Sequence, residues 1–370
     1  MKIITKQIEN TDAFSAALSE VLYFDIETTG LSSEKSGVYL IGCAGHGAGG
    51  WNLTQWLDES GQEERELLSS FFAYAKSFRT LIHYNGDHFD IPFLAKRAQK
   101  LGLDNPLAGM ASLDLYRTLL PYKSLLQLAD AKQQTVEACF GTGREEHTSG
   151  KELIGVYQHY IQAKSESDLL PLLAHNEADI QGLVSLTPIL ALHELENAKL
   201  RVVKADLDRY NDHNGAEQTE LLLTYESDRA VPRRISASFG HCYLRQEGAR
   251  GLLKIPVYHE TLKYFYANYK DYYYLPAEDM ALHKSIASFV EASHRVQATA
   301  KTCYTKKEGT FLPQFFEIQG SDALFCEPFF QRAPQEKEYF LEWTAERKTD
   351  RDFLSAYAAH LYRTILLRNR

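Results

Sequence analysis

Residues 21–31 read VLYFDIETTGL. Four apolar residues run straight into two carboxylates, Asp25 and Glu27. A buried strand does not accept two unpaired charges at its end, so something cationic is expected there. Side chains at i and i+2 of a strand face the same way, and the pair therefore projects together. Adjacent carboxylates repel unless a proton or a cation lies between them. Mg²⁺ and Mn²⁺ prefer hard oxygen ligands and suit that place. The Thr28-Thr29-Gly30 turn that follows can bring backbone close to a ligand.

Two more stretches carry acids in unusual settings. In HYNGDHFDIPFL, residues 83–94, a short buried strand runs into an Asn85-Gly86 turn and then a helix. Asp90 falls in that helix's first turn, where the helix end favours a carboxylate. A plain structural cap accounts for it equally well. Asp87 is a competing acid, placed in the exposed turn. In LLPLLAHNEADIQGLVSL, residues 169–186, leucines and Ile180 form a helical apolar stripe. His175 and Asp179 are four apart, share a helix face and lie beside that stripe. Metal ligation is one reason for a carboxylate there, and a local His–Asp hydrogen bond is another.

Taken in order, YFDIETTGL, NGDHFDIPFL and HNEAD resemble the three exonuclease motifs of the DEDD superfamily. More narrowly, they resemble the YprB-type predicted exonuclease family, whose domain is RNase H-like. The likeness covers roughly residues 20–195 and includes SLDLYR at 112–117. It implies a ribonuclease H-like mixed sheet flanked by helices, and 3′→5′ hydrolysis of phosphodiester bonds by two metal ions, Mg²⁺ or Mn²⁺. Carried over position by position, Asp25 and Glu27 answer to the paired acids of the first motif, Asp90 to the acid of the second and Asp179 to that of the third. All four are implied metal ligands and catalytic residues. His175 stands where the proofreading type has a tyrosine, four before the last acid, whereas histidine-type relatives place theirs five before it. At this departure from the pattern, His175 is implied as the group that orients or deprotonates water. Asn176 is a further polar candidate close to the metal, and Asp114 a helper or structural acid.

The first part of the chain reads as mixed α/β. Strands are expected at 21–26, 37–45 and 49–57, then a helix at 63–78, a strand at 80–85 and a helix at 88–100. Residues 112–119 read as a short extended segment, and 124 to about 200 as mainly helical with a break at 141–150. The polar segment DRYNDHNGAEQTE, 208–220, is the expected linker, which divides the chain into an exonuclease domain at 1–207 and an α+β domain at 208–370. In the second part, 221–228, 233–246 and 252–266 favour strands, 279–293 reads as a helix capped by Asp279, and 351–367 as a docked final helix.

Formal net charge is −9, yet residues 229–307 carry 13 Lys and Arg against 6 Asp and Glu. That stretch can attract a polyanion even within an acidic chain. Residues 208–370 also hold 14 of the 22 tyrosines, some interleaved with basic residues in YFYANYKDYYYLP, 264–276. Bases stack on aromatic faces while cations hold the phosphates. Lys263, Tyr266, Lys270, Tyr273, Arg295 and Lys301 are therefore the expected nucleic-acid contacts, although tyrosines packing a strand core fit the same pattern. The expected partner is single-stranded or end-exposed DNA or RNA.

Other chemistries find little support. The glycines of GCAGHGAGG, 42–50, match neither GxGxxG nor GxxxxGK[ST], and there is no GxSxG elbow. HETLK, 259–263, opens like HExxH but has Lys263 where the second histidine belongs. Five cysteines without a CxxC pair point to neither a disulfide framework nor structural zinc. No run is long and apolar enough for a membrane span, and the start has no signal-peptide core, so a cytoplasmic protein is expected. Two competing functions stay open: a non-catalytic nucleic-acid-binding or scaffold protein on the same fold, and a phosphatase or nucleotidase acting on small substrates.

Overall fold

The computed structural model describes residues 1–8, 20–47, 50–143, 150–316 and 324–369. The chain divides into two compact units, Met1–His193 and Glu194–Arg370.

The first unit opens with β1 (Lys2–Gln7), β2 (Val21–Thr28), β3 (Val38–Gly47) and β4 (Gly50–Leu57). It continues with α1 (Glu64–Ala75), β5 (Thr80–His83), α2 (Asp90–Leu101), β6 (Ala111–Asp114) and α3 (Leu115–Leu119). Three further helices follow: α4 (Gln133–Phe140), α5 (Gly150–Ala163) and α6 (Glu166–Ser185). The strands form one six-stranded sheet in the order β1-β4-β3-β2-β5-β6. β2, β3 and β4 pair antiparallel as a meander, while β5 lies parallel to β2 and β6 parallel to β5. This is the mixed sheet flanked by helices that the motifs imply. β1, which pairs with β4 at the edge, is additional. Its mostly exposed side chains give it little apolar alternation to read. Residues 112–119 are half strand and half helix, because Asp114 caps α3 by accepting the N–H of Tyr116 at 3.0 Å. The expected break at 141–150 lies partly outside the described residues, as do positions 48 and 49 of the glycine-rich hairpin.

Strand periodicity decides which face holds what. Leu22, Phe24 and Ile26 of β2 pack with Leu67 and Phe71 of α1 and with Phe93 and Leu94 of α2. Each such side chain, fully buried, contributes about 1.5–3 kcal/mol. The opposite face carries Tyr39, Leu40 and Leu57, which pack on Leu153 and Tyr157 of α5 and on Leu169 and Leu172 of α6. Asp25 and Glu27, out of phase with the first set, therefore look toward this second face. α2 ends where Gly102 takes the left-handed conformation, φ 61°, at no Cβ cost.

In the second unit, β7 (Leu200–Asn211), β8 (Glu217–Phe239) and β9 (Cys242–Pro256) form a long antiparallel sheet. Next come β10 (Tyr258–Phe265), β11 (Tyr272–Leu275), β12 (Met280–His283), α7 (Lys284–Ala287) and β13 (Val296–Gln297). The unit closes with β14 (Tyr304–Gln314), β15 (Tyr339–Glu342), α8 (Ala345–Thr349) and α9 (Arg351–Arg368). β10, β14 and β15 make a second sheet, and β12, β11 and β13 a third. The expected final helix is α9, capped by Asp350 and packed on β7, β8 and β9.

Two expectations fail here. DRYNDHNGAEQTE is not a connector: residues 208–211 end β7 and 217–220 begin β8. Its polar residues build a hairpin tip, in which Asp212 Oδ1 accepts the N–H groups of Asn214 and Ala216 at 2.9 and 3.0 Å. The compact units meet at 193/194, so 207/208 falls inside the second unit's first strand. Residues 279–293 are not one helix either. Met280–His283 pair with Tyr272–Leu275 as a hairpin, and Asp279 sits in its turn at φ 50°. Its carboxylate accepts the Tyr274 hydroxyl at 2.5 Å instead of capping a helix. Strand pairing overrides the helical spacing of the apolar residues.

Candidate active site

β2 delivers Asp25 and Glu27, half-buried between the buried Phe24, Ile26 and Thr28. α6 delivers His175 and Asp179 one turn apart. His175 Nε2 lies 3.4 Å from Glu27 Oε1 and 3.2 Å from Asp179 Oδ2. These three side chains are only 12, 13 and 18 % exposed. Residues about 150 positions apart thus form one cluster whose ligand atoms lie within 4.8 Å of one another. α4 fixes this part of α6, because Gln133 Nε2 donates to the Asp179 carbonyl at 2.9 Å.

Asp25 and Asp90 flank the cluster. Asn176 Nδ2 donates to Asp25 Oδ2 at 3.5 Å. Asp90, at the start of α2, accepts the Ile26 N–H at 3.2 Å, so its carboxylate is tied to the backbone between the two strand acids. Burial pushes the Asp90 carboxyl up to about 7, and the negative charge of Asp114 adds to the effect, while backbone N–H groups pull it back.

A second group, His83, Asp87 and Asp114, also has ligand-type atoms close together. Most of them are already committed. His83 Nδ1 accepts the Gly86 N–H at 3.0 Å, which leaves the neutral ring's proton on Nε2, 2.7 Å from Ser112 Oγ. Ser112 then donates to Asp87 Oδ1 at 2.6 Å, and Arg117 donates to Asp87 Oδ2 at 2.9 Å. Burial pushes the His83 ring down, against the pull of Asp114 and Asp87. Asp114 Oδ1 accepts the N–H groups of Asn85 and Tyr116 at 2.9 and 3.0 Å. This group holds the turn that launches α2 and hence Asp90. Asp87 is engaged there and is not a member of the Glu27 cluster. His83 and Ser112 are absent from the sequence expectations; a histidine closing a four-residue buried strand is the one signal that marks them.

The six expected nucleic-acid contacts belong to the second unit. The Lys263 ammonium lies 4.2 Å above the Tyr304 ring, and the Arg295 guanidinium 4.9 Å above Tyr273. Tyr266 stacks on Tyr272 with ring centres 4.5 Å apart, which takes one face of that ring. Lys270 and Lys301 are exposed.

A family model described as the RNase_H superfamily matches residues 22–191. With the sheet order above, these residues are a ribonuclease H-like domain. Over 269 residues, 61% of its length, the chain is 35% identical to a DNA polymerase of Pyrococcus glycovorans, and it spans 33% of that polymerase. Among solved structures, it is similar to the family B DNA polymerase of Pyrobaculum calidifontis (TM-score 0.36, 19% identity, 48% of this chain and 24% of that one). It is also similar to the zinc-bound form of the E. coli ExoI complex with single-stranded DNA (TM-score 0.31, 10% identity, 56% of this chain and 54% of that one). All five cysteines are free, and among the described residues no helix is long and apolar enough to cross a membrane.

Proposed function

We propose that this domain is the catalytic part of a metal-dependent nuclease of the DEDD type, related to the YprB-type family, which removes nucleotides from DNA or RNA ends in the 3′→5′ direction. The observation that carries the reading is the meeting of Glu27, His175 and Asp179, flanked by Asp25 and Asp90. Half-buried carboxylates facing one another repel unless a proton or a cation lies among them. Their oxygens match the preference of Mg²⁺ or Mn²⁺. Bound as a pair, these ions supply the Lewis acidity that steadies both the attacking and the leaving oxygen. Asp25, Glu27, Asp90 and Asp179 would hold them. His175, beside two of these acids, would orient the attacking water or take its proton. The 35% identity to a DNA polymerase accords with a nucleic-acid substrate.

The test is digestion of end-labelled single-stranded DNA and RNA with Mg²⁺ or Mn²⁺. Stepwise nucleotide release is expected, with none in EDTA. Normal oligonucleotide binding without release under either metal would point to a binding protein on this fold. Cleavage confined to mononucleotides would point to a nucleotidase.

The second unit is proposed as the clamp, with Lys263, Lys270, Arg295 and Lys301 on phosphates and Tyr266 and Tyr273 beside bases. Phosphate contacts release counterions, so affinity falls steeply with salt. Replacing the four cations together by Gln should weaken a Ca²⁺-loaded, uncleaved oligonucleotide complex at least tenfold and flatten its salt slope. An unchanged dissociation constant and slope would assign the charge to ordinary surface.

A further inference from the structure

Behind Asp25 lies a chain of buried amides. Asn176 and Gln55 are both fully buried. Gln55 Nε2 donates to the Leu173 carbonyl at 2.9 Å and to Asn176 Oδ1 at 3.0 Å. Those two bonds fix which end of each amide faces which way. Asn176 Oδ1 is occupied as an acceptor, so its Nδ2 must turn to Asp25 Oδ2. The backbone is shaped to admit this arrangement. Gly42 pairs with Asp25 across β2 and β3, and a Cβ there would sit 2.0 Å from Asn176 Oδ1. Any side chain at position 42 would push the amide away.

The arrangement is costly as structure alone. Among the described residues, the buried Gln55 Oε1 has no hydrogen-bond partner. An unsatisfied buried polar atom destabilises, and an apolar residue of similar shape would remove the cost. A fully buried glutamine that keeps one atom unpaired and ends, through Asn176, on a candidate ligand is better placed to serve the site than the core.

We infer that Gln55 and Asn176 are positioning residues: a fixed amide relay that holds Asp25 Oδ2 by an N–H donor and so presents Asp25 Oδ1 to the cation. Without Gln55, the Asn176 amide is free to turn and offer its oxygen to Asp25, which repels the carboxylate. The inference rests on the nuclease reading for its role in turnover, but not for its role in cation binding.

The experiment compares wild type with Gln55→Met, which keeps the shape, and Gln55→Glu, which keeps the outline but loses the donor. Mn²⁺ affinity by calorimetry, kcat and KM on an end-labelled oligonucleotide, and melting temperature without metal are measured on the full chain. For Gln55→Met the expected result is Mn²⁺ binding weakened five- to tenfold, kcat lowered about tenfold, KM unchanged, and a melting temperature equal to or above wild type. Gln55→Glu should lose Mn²⁺ affinity as well. Unchanged Mn²⁺ affinity in Gln55→Met overturns the relay, even if wild type proves inactive as a nuclease. A melting temperature that falls with affinity and kcat in both variants also overturns it, since a packing role alone then suffices. If wild type binds Mn²⁺ and the relay behaves as expected but no oligonucleotide is cut, the nuclease reading fails alone.

Discussion

Asp25→Asn is expected to cut metal-dependent nucleotide release about 10²–10³-fold, the scale on which losing one preorganised electrostatic group acts. The substitution is isosteric. Asn176 Nδ2, at 3.5 Å from Asp25 Oδ2, still finds a carbonyl oxygen to donate to. β2 keeps its buried neighbours Phe24 and Ile26, so the fold stands. What disappears is one negative charge of the proposed cation site. Mn²⁺ binding by calorimetry should therefore weaken in parallel, and more than oligonucleotide binding does. Asp179→Asn should behave alike, because its Oδ2 lies 3.2 Å from His175 Nε2 within the same cluster. His175→Gln should also lower the rate, by about 10²–10⁴-fold, the range of a lost general base, but with Mn²⁺ affinity nearly kept. A variant at Asp25 that still cuts at more than a tenth of the wild-type rate would remove it from the catalytic set.

The domain that holds these acids was legible because its core obeys strict periods. β2 buries Leu22, Phe24 and Ile26 on one face, which forces Asp25 and Glu27 onto the other. The i, i+4 spacing of His175 and Asp179 on a helix does the same for α6. Two separate periodicities thus aim four polar groups, and their meeting in space follows from the sheet order. Less could be read from residues whose role depends on a partner far along the chain. Gln55 is one polar position in a β4 strand, and only Asn176, 121 positions away, gives it meaning. His83 depends on Ser112 and Gly86 in the same way. In the second unit, local pattern misled twice. A hairpin tip needs the same polar and glycine-rich residues as a linker, and Asp279 ends a strand turn with the residue type that caps helices. In both places the pairing of two chain-adjacent strands across a hairpin decides, and the turn residues alone do not announce it.

Asp90 leads to a prediction about stability in which the sign is the informative part. Its carboxyl is 6% exposed, and burial, with Asp114 nearby, raises it from 3.8 to about 7. The folded chain therefore binds this proton more tightly than the unfolded chain does. Between about pH 4 and 7 the unfolded state releases the proton first, so stability falls as pH rises through that window. Above pH 7 the full cost of a buried charge is felt. At 1.36 kcal/mol per pKa unit, the ceiling of this cost is about 4 kcal/mol. Asp90→Asn removes the charge and keeps an oxygen for the Ile26 N–H, now 3.2 Å from Asp90 Oδ1. Without metal, the variant should melt several degrees above wild type at pH 8 and close to it at pH 5. Mn²⁺ should reverse the order at pH 8, because only the carboxylate gains from the cation, and ligand binding to the folded state alone raises stability by mass action. Thermal melts at the two pH values, with and without Mn²⁺, test this directly. If wild type is the more stable at pH 8 even in EDTA, Asp90 is a structural cap whose charge the fold already satisfies, and its place among the metal ligands is lost.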